Sequence, residues 1–119
     1  MSSLSSAFAL LPSMDIRVLS KRTLSDPLPG IYRAYVGRPS ALGNPFPMRS
    51  ESDRDDVCER YLAWLRDNYS AGGPARAELE RLYAIALEQP LELVCFCAPK
   101  RCHADSIKQA LLGMHAQRA

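Results

Sequence analysis

The residues best suited to chemistry lie close together near the C-terminal end of the chain. Cys95, Cys97, Cys102 and His103 fall within nine residues. Thiolate and imidazole are the preferred ligands of zinc and of other borderline or soft metals, so the cluster is expected to hold a metal, with zinc the first choice. Spacing constrains how it can do so. In a regular strand Cys95 and Cys97 point the same way but stand about 6.6 Å apart, whereas two sulfurs on one tetrahedral zinc lie roughly 3.8 Å apart. The strand must therefore end or bend at Cys97 if both are ligands. A three-ligand site of Cys97, Cys102 and His103, with an open fourth position, is the pattern of a catalytic metal. Adjacent ligands crowd one ion, so Cys102 or His103 could instead orient a ligand or carry a proton. Cys102, placed at a helix start beside Lys100 and Arg101, also has the setting of a reactive thiolate. Cys58, on an apolar helix face, reads as core, and His115 as a solvated residue near the C-terminus.

A second group of polar residues follows an earlier strand. The segment Gly37 to Ser50 is rich in proline and glycine, and irregular segments of that length usually have a function or lack order. Ligands of open α/β sheets bind beyond the carboxyl ends of the strands. If the strands preceding this loop and the cysteine turn are parallel neighbours, Arg38, Lys100 and Arg101 surround one anion site. Ser40 and Asn44 would add hydrogen bonds. Arg54 could reach the same place or form an ion pair with Asp55 or Glu51. The bland alternative is a stiff loop covering the core, with Phe46 as its plug.

The elements that must position these groups are legible from pattern. Asp15 to Lys21 and Ile31 to Val36 read as strands, rich in β-branched and aromatic residues. Ser52, with Asp55 three residues on, suggests a capping box for a helix whose apolar face is Val57, Cys58, Tyr61, Leu62, Leu65 and Tyr69. Gly72-Gly73-Pro74 ends it, and a second helix with Leu79, Leu82, Tyr83 and Ala86 on its stripe runs to Pro90. Leu91 to Cys97 reads as a buried strand, and a last helix begins near Ala104, with Ile107, Leu111 and Met114 inward. The expected fold is a small layered α/β domain of order β-β-α-α-β-α with a partly parallel sheet. Residues 1–13 read as a flexible extension, and 14–119 as a single domain.

At 119 residues and 47% apolar content, the chain can bury a core without disulfide staples. The net charge of +2 gives no support to a polyanion-coating role. No apolar run is long enough to cross a bilayer, and no secretory signal is apparent, so the cysteines are expected to be reduced thiols or ligands in the cytoplasm.

The motifs Tyr35-Val36-Gly37-Arg38-Pro39-Ser40, Gly43-Asn44-Pro45-Phe46, Arg54 with Tyr61 and Leu65, and Cys95-Phe96-Cys97-Ala98-Pro99-Lys100-Arg101-Cys102-His103-Ala104-Asp105 resemble a bacterial and phage family called domain of unknown function 4326. The resemblance spans Ile16 to Leu112, with Ala104 standing where that family usually has glycine. It implies a cytoplasmic protein tied to nucleotide or DNA-base modification, and carries over Arg38, Ser40, Asn44, Arg54, Cys95, Cys97, Cys102, His103 and Asp105 as its distinctive polar residues.

These readings converge on a metal-dependent enzyme acting on a nucleotide, nucleoside or modified nucleobase, a hydrolase or lyase in type, with phage DNA modification as one setting. Cys95, Cys97, Cys102 and His103 would hold zinc, and Arg38, Ser40, Asn44, Arg54 and Lys100 would bind a small anionic substrate. Asp105 would orient His103 or act as general base, and His103 would share the proton chemistry. The zinc deaminases' His-x-Glu partner motif is absent, so deamination is not supported. The alternative is a non-enzymatic zinc-stabilised module binding nucleic acid or a protein, and a third class is a thiol redox sensor.

Overall fold

The structure, a computed structural model, describes residues 14–96 and 100–118. Its elements follow in the order β1 (Ile16–Ser20), β2 (Tyr32–Tyr35), α1 (Arg54–Ala71), α2 (Pro74–Glu88), β3 (Leu91–Cys95) and α3 (His103–Arg118), with short 3-10 turns at Lys21–Thr23 and Glu51–Asp53. This is the expected α/β order.

The sheet has the order β1-β3-β2 and is parallel throughout rather than in part. Ile16 pairs with Leu91 on one side of β3, and Tyr32 pairs with the same residue on the other. A central parallel strand is covered on both faces and loses the alternation of a half-exposed one, which is why Leu91, Glu92, Leu93, Val94 and Cys95 are all buried. The single acid in that run, Glu92, is matched by its neighbour in register, Arg33, whose Nε donates to Glu92 Oε1 at 2.8 Å. A buried carboxylate needs such a partner.

The helices bury the predicted stripes. Tyr61 and Leu65 of α1, Leu79 and Leu82 of α2, and Ile107 and Leu111 of α3 join Leu91 and Leu93 in one core. Gly72 closes α1 with a left-handed φ of 75°, a conformation open to glycine without steric cost. The Asn68 side chain then accepts from the Ala75 N–H at 3.1 Å, satisfying a donor at the start of α2.

Two boundaries differ from expectation. Ser52 does not cap α1. It lies within the 3-10 turn, and its hydroxyl meets that of Ser50 at 2.8 Å. Asp53 occupies the cap position, and Asp55 is drawn instead to Arg101. The strand read to Cys97 ends at Cys95. Cys97 itself and residues 1–13 lie outside the described residues.

Candidate thiol–imidazole pocket

Because β2 and β3 run parallel, the loop after one and the turn after the other leave from the same sheet edge. Val36 extends the ladder by one bond, donating to Val94 O at 3.0 Å. The N-terminus of α3 returns to that edge, and the three segments enclose a pocket of about 270 Å³.

The floor is made of sulfur and imidazole. Cys95, Cys102 and His103 are buried and line the pocket, and Cys95 Sγ lies 2.8 Å from Cys102 Sγ. Cys102 precedes the first residue of α3, and its side chain does what an N-cap serine would do: Sγ accepts the Ala104 N–H at 3.3 Å. Asp105 completes the box, with Oδ2 accepting the Cys102 N–H at 3.0 Å. Ala104 is fully buried, and its methyl group packs into the core.

His103 is fixed by one strong contact. Its Nε2 lies 2.7 Å from Val36 O; a carbonyl only accepts, so Nε2 carries the proton and Nδ1 holds the lone pair in the neutral ring. Burial pushes the imidazole below its ordinary pKa against the opposing pull of Val36 O, and the positive charge of Arg38 adds to the downward shift. Tyr61 meets the ring edge-on, with centroids 5.1 Å apart.

The wall is a loop tied to itself. Arg38 Nε donates to Asn44 O at 2.7 Å and Nη2 to Phe46 O at 3.3 Å. Asn44 Oδ1 accepts the Phe46 N–H at 2.8 Å. Leu42, 1% exposed, is the residue that plugs this loop into the core; Phe46 is only partly buried and packs at the margin. Tyr61, fully buried, donates its hydroxyl to Leu42 O at 2.6 Å, and burial, with the nearby Cys102 charge second, drives its phenol well above the usual tyrosine range. The sequence placed Tyr61 on the apolar stripe, and its part in pinning the loop went unread. A tyrosine among leucines was the available signal, since a buried hydroxyl needs a partner.

The anticipated site residues divide. Arg38, Asn44 and Arg54 line the pocket together with Cys95, Cys102 and His103. Ser40, Lys100 and Asp105 are not among the lining residues. Ser40 Oγ is buried without a hydrogen-bond partner among the described residues, and Lys100 pairs with Glu51 at 3.2 Å. Asp105 faces the Cys102 backbone as a cap. Arg54 serves both anticipated ends: it pairs with Glu51 at 2.8 Å and donates Nη1 to Arg101 O at 2.8 Å, tying α1 to the cysteine turn. These two basic neighbours, Arg54 first and Lys100 second, hold the Glu51 carboxyl down at about 2. Arg101 and Cys58 also line the pocket.

As metal donors the residues fit in kind. Cys95 and Cys102 already converge, and sulfurs on one zinc lie about 3.8 Å apart, so the pair would open slightly on loading. His103 would bind through Nδ1, with Val36 O holding the opposite nitrogen, an arrangement common among metal-binding histidines. No group of three or more His, Cys, Asp or Glu side chains converges at metal-binding distance among the described residues; Cys97 lies outside them.

Fold and site together define a small parallel α/β domain with a thiol–imidazole pocket at the carboxyl edge of its sheet. The chain belongs to the family described as Domain of unknown function (DUF4326), whose model matches residues 19–113. No curated protein and no solved structure matches it. No helix among the described residues is long and apolar enough to cross a membrane.

Proposed function

We propose that the pocket is the active site of a metal-dependent enzyme, with zinc as the metal, acting on a phosphate-bearing nucleotide, nucleoside or modified nucleobase in the cytoplasm. Phage DNA modification is one setting in which such an activity would serve. One observation carries this reading: a cationic loop and a thiol–imidazole floor, far apart in sequence, line the same cleft. A structural zinc knuckle has no need of that meeting. The volume, at the small end of ligand pockets, suits a single small molecule better than a duplex.

Arg38 supplies the anion-binding charge. Its hydrogen bonds go to neutral carbonyls, which orient the guanidinium without cancelling its charge, and its remaining N–H groups can meet a phosphate. Cys95 and Cys102, with Cys97 as a third thiolate, would hold zinc, which when bound polarises a leaving group or activates water. His103, kept neutral, can take a proton at Nδ1 if that nitrogen is not a ligand. Asp105 acts as a positioning residue, fixing Cys102 at the head of α3.

Elemental analysis of protein purified without chelator tests the metal. The expected result is close to one equivalent of zinc in the wild type, sharply reduced in Cys95→Ser and in Cys102→Ser. Metal-free protein of unchanged thermal stability would overturn the metal and leave only the anion pocket.

A further inference from the structure

Two large rings stand on the pocket wall with much of their surface open. Phe96 is 47% and Tyr35 37% exposed, and both line the pocket. They meet edge to face, with centroids 6.2 Å apart and planes at 81°. Burial of aromatic surface is favourable, so a wall that leaves two rings open is suited to a ligand that covers them.

The rings are held in place. The Tyr35 hydroxyl donates to Arg38 O at 3.0 Å, with the ring lying across Gly37, where an added Cβ would collide with the hydroxyl. Lys21 Nζ stands over both rings, 4.8 Å from the Tyr35 centroid and 5.4 Å from that of Phe96, a cation–π contact that fixes one face of the pair. Arg38 adds charge on the same wall. No carboxylate among the described residues forms an ion pair with either Lys21 or Arg38.

A fixed aromatic corner beside uncompensated cations is complementary to a flat heteroaromatic ring carrying an anion. Bases stack on such rings, and the accompanying phosphate is held by the cations. We infer that Phe96 and Tyr35 form a stacking subsite for the base of a mononucleotide whose phosphate lies at Arg38. This rests on the phosphate pocket proposed above and adds to it: the ligand must carry a base, and the base is gripped by its ring face. Recognition of that kind tolerates different bases and rejects sugar phosphates that have none.

Equilibrium titrations of the full chain with AMP and with ribose 5-phosphate separate the two ideas. AMP should bind about tenfold or more tighter than ribose 5-phosphate, the scale of one base–aromatic stack. Phe96→Leu, which keeps apolar bulk at a half-exposed position, should remove most of that preference and leave ribose 5-phosphate binding unchanged. Phe96→Tyr should retain the preference. Equal affinity of the wild type for both compounds, or a Phe96→Leu effect that is the same on both, overturns the stacking subsite while leaving the phosphate pocket intact. Failure of both compounds to bind at millimolar concentration overturns the phosphate pocket, and the subsite with it.

Discussion

Arg38 and Arg118 are the same side chain put to opposite uses at the two ends of the domain. Arg118, in the last turn of α3, grips Glu80 of α2 through both oxygens, at 2.9 and 2.7 Å, and also reaches the Tyr69 hydroxyl at 3.2 Å. Its charge is matched by a carboxylate, and the Glu80 carboxyl is held at about 2, mainly by Arg118 and secondly by Tyr69. Arg38 instead donates to two carbonyls and faces the thiol–imidazole floor. A guanidinium bonded to a carboxylate is a staple whose field is largely cancelled. One bonded to carbonyls is equally well oriented but keeps its charge, and that charge is felt at His103. The lesson is that the partner of an arginine, more than its presence, separates scaffold from candidate binding site.

Substitutions at the two ends should therefore differ in kind. The largest effect expected is on ligand affinity: Arg38→Ala should weaken AMP binding about 10- to 100-fold, the scale of a charge-assisted hydrogen bond lost in a partly enclosed site. Isothermal titration checks this, and an unchanged affinity would place the anion elsewhere. Next in size, Tyr61→Phe should destabilise the fold by about 1–3 kcal/mol, because Leu42 O is left as a buried acceptor without its donor. Denaturant unfolding measures it, and a neutral result would mean that the loop is pinned by Leu42 packing alone.

Asp105→Ala should cost about 0.5–2 kcal/mol, the usual range for a lost helix cap, and should also lower metal affinity if Cys102 depends on that cap for its position. A stability loss with metal affinity unchanged would confine Asp105 to the helix. The smallest effect belongs to the staple. Glu80 is depressed in the folded state, so its contribution is fully present above the unfolded carboxylate pKa, near 4.3, and fades as pH falls from there toward 2. Arg118→Ala should flatten that acid limb of the stability curve, shift the melting temperature only slightly at neutral pH, and leave AMP binding untouched. An Arg118→Ala loss of binding comparable to that of Arg38→Ala would break the contrast between the two ends.

Most of the fold was legible because its signals are local. Leu91 to Val94 are uniformly apolar apart from Glu92, as a central parallel strand should be, and the stripes of α1, α2 and α3 repeat at helical spacing. Parallel pairing followed from the helical crossover between β2 and β3, and it brings the loop after β2 and the start of α3 to one sheet edge. What stayed hidden was each polar group's partner. Asp105 accepts the Cys102 N–H, a bond that depends on where α3 begins. Ser52 has the composition of a cap, but the 3-10 turn moves the cap position one residue on, to Asp53. A tyrosine on the apolar stripe signals that a partner exists but not which one, since the bond reaches nineteen residues back to Leu42.

The central claim is that the thiols and Arg38 serve one ligand-binding, metal-holding pocket. Cadmium titration, followed by the ultraviolet charge-transfer band of thiolate–metal bonds and run with and without AMP, tests both halves together. Wild-type protein should develop the band, Cys102→Ser should lose most of it, and AMP should shift the apparent cadmium affinity in the wild type but not in Arg38→Ala, since coupled sites must influence each other reciprocally. A cadmium band absent from the wild type, or one that AMP leaves unmoved while binding elsewhere, would contradict the shared pocket.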